Sequence, residues 1–495
     1  MAVKEFLLPP IATVDPVSRQ HWLLLGAAYV ALGLAAFAAS QWADDIGWAV
    51  HGWWCVLVML SGAPAVILGI RAGVGTFLVD HRFIFLAAYL AYFSFGAALP
   101  AFGSDESVET ALSFYPVTPQ GALWVDGFNG CGMGIALVVA TLLNFSRTAV
   151  ITRSIALRFS QISMSPILIG MLITGLVAAN YVLAIDLGML DDTPSVFVRF
   201  APRLSWVAIL LAAAVRSRDS GFLKLLAAIT ALVLSLVGLL QFNKSEALYP
   251  LCAFMMGVAW SWQSARYLLA GVSLMILSFS LLGDLTATGR YLLQQTDART
   301  LASRVELLIL SQKLVSSGSI DQRYLGWARF CYVSPQVGAV DMYDAGKGGD
   351  GFASLPWVFV PRMIYPDKPE MTKGGRDFTE KINGNNQSST GTGVFTSGYY
   401  HGGVWGWVFA AVAAGFSIRF LSVISAEIFK AGAVLLAPIA LMGVLGAFRV
   451  DGDVVTDHVS TAVLAGYALV VGWLLLQFGH ARPLEVEITK AQGQQ

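Results

Sequence analysis

Apolar runs of about twenty residues recur along most of this chain, and a run of that length suits a hydrocarbon core roughly 30 Å thick. They fall at 22–40, 49–70, 83–102, 124–145, 166–187, 199–215, 223–242, 248–264, 267–284, 404–424, 431–450 and 459–480, about twelve candidate spans in all. The sixth is interrupted by Arg199, Pro202 and Arg203, and the eighth is short. Of the 495 residues, 56% are hydrophobic and only 13% charged, about half the charged fraction of a soluble protein. The expected fold class is therefore an all-α polytopic membrane protein with about twelve transmembrane helices. The first apolar run is too long for a cleaved signal and reads as the first span.

Basic residues in the short connections set the expected orientation, because lysine and arginine near span ends resist translocation. Arg71 and Arg82, then Arg147, Arg153 and Arg158, then Arg216, Arg218 and Lys224, then Arg266, then Arg419 and Lys430, then Arg482 fall on alternate connections. Acidic residues occupy the others: Asp44 and Asp45, then Asp105, Glu106 and Glu109, then Asp191 and Asp192, then Asp451, Asp453 and Asp457. Arg199 and Arg203 are the exceptions. This alternation predicts cytoplasmic termini and an outward-facing long segment between the ninth and tenth spans. The expected organisation is a membrane domain over 1–284, an outer domain over 285–402, three further spans over 403–480 and a tail over 481–495. No internal repeat stands out, and the layout lacks the two matched halves of many transporters.

The net charge is zero, with no basic block to attract nucleic acid. Cys55, Cys131 and Cys252 fall in apolar spans and Cys331 stands alone in the long segment, so neither a disulfide framework nor a CxxC metal spacing follows. Neither GxxxxGK[ST] nor HExxH occurs, and no His, Cys and carboxylate cluster has metal spacing in the sequence.

A connection of roughly 115 residues is long enough to be a folded, functional unit. Within it, 290–315 lacks glycine and proline and places Leu301, Val305, Leu308 and Val315 on one face at helical spacing, which reads as a helix lying against the membrane surface or the domain core. A glycine-rich patch around Gly346, Gly348, Gly349 and Gly351 and a second one over 383–393 read as turns or mobile loops. The apolar run Pro356-Trp357-Val358-Phe359-Val360-Pro361 is too short to span and reads as a piece dipping into the membrane interface.

Outward arginines beside a membrane point to an anionic ligand, since a guanidinium grips phosphate oxygens bidentately and keeps its charge. The candidates are Arg290, Arg323, Arg329, Arg362 and Arg376, with Lys368 and Lys373 beside them. Ordinary surface pairing with Asp321, Asp341, Asp367, Asp377 or Glu380 is the competing explanation. Arg362 lies between two prolines in an aromatic run, where an unpaired charge is costly. His401, the single histidine of the long segment, is either an acid–base group or an interfacial residue bonded to backbone. Arg449, Asp451, Asp453, Asp457 and His458 cluster where the eleventh span meets the outer face, a functional-site candidate unless Arg449 and Asp451 simply pair. Asp126, Asp186 and Asp284, near span ends, read as interface residues.

Three pieces of the chain are similar to the Wzy-type polymerases of O-antigen repeat units: Val360-Pro361-Arg362 with Tyr365-Pro366-Asp367-Lys368-Pro369, the Gly398-Tyr399-Tyr400 to Gly406 stretch entering a span, and Phe448-Arg449-Val450-Asp451. Together they cover about a seventh of the chain. One departure is Ser397-Gly398, where many relatives carry a glutamate before the tyrosine, so no carboxylate role transfers there. The resemblance implies a GT-C-like, metal-independent enzyme of the bacterial inner membrane that needs no cofactor and joins oligosaccharides carried on undecaprenyl pyrophosphate. It leaves room for a chain-length regulator as a further partner. On this basis Arg362 and Arg449 hold the pyrophosphate, Lys368, Arg329, Arg376, Arg290 and Arg323 assist, Asp451 contributes to binding, and His401 with Tyr399 and Tyr400 meets the acceptor. An O-antigen ligase-like transferase is the close alternative, and a lipid-linked oligosaccharide flippase or exporter the alternative from another class.

Overall fold

The computed structural model describes residues 8–9, 16–191, 198, 201–216, 220–296, 298–317, 328–360, 364–365, 368–369, 373–384 and 389–478. Every regular element among them is helical, the arrangement in which a chain in lipid satisfies its backbone within each segment. In chain order the helices are α1 (Arg19–Ser40), α2 (Trp48–Ala72), α3 (Val74–Val79), α4 (His81–Leu90), α5 (Asp105–Leu112), α6 (Pro119–Leu142), α7 (Ser146–Phe159), α8 (Met164–Asp186), α9 (Pro202–Ala214) and α10 (Gly221–Leu240). There follow α11 (Lys244–Trp262), α12 (Ala265–Gln295), α13 (Leu301–Ser316), α14 (Val333–Asp344), α15 (Leu355–Val358), α16 (Lys373–Asn383), α17 (Val394–Ala431), α18 (Ala437–Phe448) and α19 (Ser460–Phe478).

Among the described residues, nine helices are long and apolar enough to cross a membrane, and the chain is an α-helical polytopic membrane protein. The other expected spans coincide with α11, which opens on Lys244 and Glu246, and with the shorter apolar helices Pro202–Ala214 and Val434–Phe448. At 13 residues, α9 rises about 20 Å, well short of a 30 Å core. It is also buried from Ser205 to Ala214, enclosed by α8, α10 and α11, as expected of a helix apolar on every side. Close packing elsewhere relies on small residues. A Cβ on Gly33 of α1 would stand 2.5 Å from the Cys131 backbone nitrogen of α6.

The boundary expected at 284 is not a structural one. α12 runs on to Gln295, because no glycine or proline stops it after Gly289 and Phe242 packs onto that glycine. The expected helix over 290–315 is two helices, with Thr300 capping the second through a reciprocal bond with Ser303. This second helix turns a different face into the bundle. Leu301, Val305 and Val315 are 53%, 41% and 38% exposed, while Arg304, Leu307 and Ser311 are buried. Arg304 dictates this rotation: its guanidinium donates to the carbonyls of Ala298, Leu240 and Asp186 at 2.8, 3.4 and 3.1 Å.

The face carrying the long connection is called the loop face below. Here α17 is not one straight helix. Gly402 and Gly403 leave helical geometry, Gly403 with φ +60°, and the chain doubles back. A Cβ on Gly398 would stand 2.5 Å from the Gly406 carbonyl and 2.6 Å from Ala410 Cβ, contacts that residues eight and twelve apart cannot make on one continuous helix. Residues 394–401 are therefore a re-entrant arm, its lower end at Phe395 against Gly132, near the middle of α6. The arm accounts for Gly398, a position whose close crossing leaves no room for any side chain.

Candidate functional site

The re-entrant arm and the ends of the short helices meet at the turn 449–453. The backbone N–H of Val394 donates to the Val450 carbonyl at 2.8 Å and that of Gly393 to Asp451 at 3.1 Å, satisfying donors that a helix start leaves open. Three side-chain links leave the same turn. Arg449 Nη1 bonds Asp457 Oδ1 at 2.8 Å, the Tyr332 hydroxyl donates to Asp451 Oδ2 at 3.1 Å, and Asp453 Oδ2 meets His401 Nε2 at 3.1 Å. The expected Arg449–Asp451 pair is thus replaced by Arg449–Asp457. His458 turns inward, its ring against Phe85.

The arginine that sequence reasoning passed over is Arg203. It stands at the N-terminal end of the buried helix α9, within electrostatic reach of Arg449, Glu246 and Tyr249. Both short apolar helices, α9 and α18, thus carry an arginine at the end that meets this turn. Around them, Tyr92 lies 5.4 Å from Tyr332 and 6.3 Å from Phe448, ring to ring, and Tyr249 lies 5.1 Å from Trp206. Tyr92 projects from a π-helical turn, Ala91–Gly96, and Asp457 from a second one, Val454–Val459, the local bulge that often re-aims functional side chains. The Arg449 side chain keeps 54% of its surface exposed despite its partner. The result is a half-buried recess with two guanidiniums, several tyrosines and the Asp451 carboxylate. Burial pushes the Asp451 carboxyl up, and the Tyr332 hydroxyl offsets this only in part.

One signal in the sequence could have found Arg203, namely its break with the charge alternation. An arginine that defies the orientation rule at the start of an apolar helix needs a reason of its own.

His401 is placed differently from the expectation of an acceptor-side base. Its Nδ1 accepts the Gly351 N–H at 3.1 Å and its Nε2 donates to Asp453, so both ring nitrogens are committed. Phe352 packs on the ring and Gly349 lies against it. The first glycine-rich patch is therefore a strap over the helix bend, with Gly348, Gly349 and Gly351 set by close approach. Tyr399 donates to Asp344 at 2.8 Å and Tyr400 is buried with its hydroxyl 3.3 Å from Lys381 Nζ. These three residues fasten the loop domain to α17.

The remaining candidates whose side chains the structure describes sit on other elements. Arg290 donates to the Phe242 carbonyl at 3.0 Å, and Lys368 Nζ to the Val360 carbonyl at 3.0 Å. Arg376 belongs to α16, and the side chain of Arg329, on the 3-10 turn Ala328–Phe330, lies outside the described residues. Arg323 and Arg362 are likewise outside them. The run before Arg362 does reach the spans, since the Tyr467 hydroxyl of α19 donates to the Phe359 carbonyl and Phe352 packs on Phe409 of α17. Trp357 stacks on Tyr365 and Phe359 stays 56% exposed.

A second buried polar group joins three other helices. His51 Nδ1 lies 2.8 Å from Asp126 Oδ2, and Nε2 lies 2.8 Å from the Ala97 carbonyl and 3.8 Å from Cys55 Sγ. Asp126 is thus a buried partner of His51, in contrast to the expected interface residue. His51, Cys55 and Asp126 are close enough to suggest a metal site, but the donor set does not fit one. Asp126 and Cys55 approach opposite ring nitrogens, and Nε2 already donates to a carbonyl, so no single His51 atom faces both other ligands. The group instead ties α2 and α6 to the turn at Ala97, which follows the π-helical turn Ala91–Gly96, beneath the loop face.

No protein-family model matches the chain, and no curated protein or solved structure matches it.

Proposed function

We propose that the protein is a glycosyltransferase of twelve membrane crossings and GT-C-like architecture, acting at the outer face of the bacterial inner membrane. It polymerises oligosaccharide repeat units carried on undecaprenyl pyrophosphate. The observation that carries this reading is the pair Arg203 and Arg449 at the ends of two short apolar helices, in a recess lined by tyrosines and by Asp451. Two fixed guanidiniums suit a diphosphate, whose charge grows as the anomeric carbon–oxygen bond breaks. The tyrosines suit sugar rings, presenting flat apolar faces with a polar edge.

In this mechanism the acceptor hydroxyl attacks the anomeric carbon, the bond to the diphosphate oxygen breaks, and the lipid diphosphate leaves with the electron pair. Arg203 and Arg449 hold that leaving group. Asp451 takes the hydroxyl proton, a role favoured by its raised pKa. His401 holds the turn in place and does not meet the acceptor. Arg362 remains a further proposed contact to the diphosphate, from the apolar run beside α17 and α19.

The test is a reaction with purified protein and its matched lipid-linked repeat unit, in the presence of chelator and without nucleotide sugar. A ladder of longer lipid-linked products is expected, because the pyrophosphate linkage already activates the donor. Arg203→Gln and Arg449→Gln should each lower the rate by roughly 10²–10³-fold, the effect of losing one stabilising donor, with folded protein retained. Movement of a labelled carrier lipid across a proteoliposome bilayer with no new glycosidic bond would overturn the assignment.

A further inference from the structure

On the face opposite the loop domain, α7 (Ser146–Phe159) carries Arg147, Arg153 and Arg158 and no acidic residue. Among the described residues none of these arginines has a carboxylate within ion-pair distance, although the same face holds such pairs, as Lys430 with Glu427 at 3.3 Å. Three apolar side chains share the arginines' outward side: Val150, Ile151 and Leu157 are 70%, 48% and 50% exposed. The opposite side, with Thr152, Ile155 and Ala156, is buried against α17 and α19. At 100° per residue, Val150, Ser154 and Leu157 point directly away from the bundle, with Arg147 and Arg158 on one flank and Arg153 on the other.

The helix is rigidly presented. Phe145, just before it, packs on Phe416 and Phe420 of α17 at 5.2 and 5.6 Å between ring centres. Arg419 of α17 donates to the Leu143 carbonyl at 3.3 Å, which closes the end of α6. Because α17 continues from Arg419 to Ala431, α7 starts about three turns short of the end of its neighbour and runs beside a span. Its outward side faces away from the bundle.

We propose that α7 is an in-plane membrane helix whose three arginines bind the phosphates of anionic phospholipids, while Val150, Ile151 and Leu157 enter the acyl boundary. The pattern is that of interfacial helices, with cations flanking an apolar strip, and arginine stems can lie along the apolar surface while the guanidinium reaches the headgroup. A soluble environment would leave three apolar side chains and three uncompensated charges together on one helix. This inference does not depend on the proposed reaction.

The experiment uses the full chain with Ser154→Cys carrying an environment-sensitive fluorophore, in nanodiscs of phosphatidylcholine with or without phosphatidylglycerol. The label should be shielded from aqueous iodide and quenched by lipids bearing a nitroxide near the headgroup. Binding of fluorescent phosphatidylglycerol to the detergent-solubilised protein should weaken roughly fivefold per arginine, on the order of a hundredfold in the triple variant Arg147→Gln, Arg153→Gln, Arg158→Gln. The triple lysine variant, which keeps the charge, should retain most of the preference and serves as the control for folding. Undiminished preference in the glutamine variant would overturn the proposal, as would equal competition by inorganic phosphate. A label open to iodide in every bilayer would also overturn it and leave the face to an acidic soluble partner.

Discussion

Asp451 holds an unusual position for a carboxylate, set in the turn between two apolar helices with a tyrosine hydroxyl as its side-chain hydrogen-bond donor. Burial raises its pKa, so its charged form is held at a cost. Asp451→Asn keeps an oxygen for Tyr332 and removes that cost. The variant should be at least as resistant to thermal unfolding as the parent, while glycosyl transfer falls roughly 10²–10⁴-fold, the range for losing a positioned acid–base group. Parallel loss of folded protein in a melting curve would show Asp451 to be structural. Asp453 behaves in the opposite sense. Burial alone would raise its pKa, but the His401 bond and the N–H groups of Val455 and Thr456 outweigh it and hold the carboxyl below its ordinary 3.8. Its contribution to stability is therefore complete above the unfolded value and lost as pH falls through the lower folded value. The stability gap between parent and Asp453→Asn should be constant from neutral pH to about pH 5 and close only in more acidic solution. A gap that opens on acidification would contradict the His401–Asp453 assignment.

At the scale of elements, the strap of glycines over the bend of α17 explains residues that composition alone reads as loose. A Cβ on Gly351 would stand 2.6 Å from His401 Nε2, and one on Gly349 would fall inside contact distance of the same ring. Gly351→Ala should cost about 1–3 kcal/mol, the usual range for overpacking, while Gly346→Ala, with open space around it, strains only its φ of +72° and should cost about 1 kcal/mol. Equal unfolding temperatures for parent and Gly351→Ala would mean that the strap is not closed on His401. The helix after Thr300 carries the same lesson from the other direction. Its apolar face, with Leu301 and Val305, stays exposed, while Arg304 has three carbonyls to satisfy, at the ends of α8 and α10 and in its own approach. A buried guanidinium bonded on several sides fixes which face turns into the bundle.

Across the whole molecule, the loop face and the opposite face differ in what they offer: a recess with paired and half-buried charges on one, unpaired arginines on the other. With the loop face outward, as the charge asymmetry predicts, an impermeant thiol reagent added to intact cells should label Glu380→Cys and spare Lys430→Cys, whose site is half exposed on the opposite face, until the membrane is permeabilised. Background should be low, since Cys55, Cys131 and Cys331 are buried and Cys252 half-buried; labelling of Lys430→Cys in intact cells would reverse the orientation. The helical class and the positions of the apolar elements were legible in the sequence, because lipid imposes length and apolarity on every segment that crosses it. So was the gathering of charges at the turn 449–453, at the end of an apolar run. Which charges meet was decided only in three dimensions. Arg203 and Arg449 are 246 positions apart in a chain of 495 residues, and no local pattern relates them. The re-entrant arm at 394–401 likewise depends on Gly398 and Gly406 touching across a bend, a contact that a single stretch of apolar sequence does not encode. Periodicity reports how a segment meets its surroundings, whereas the partners of a buried charge are set by which helix ends the packing brings to one depth.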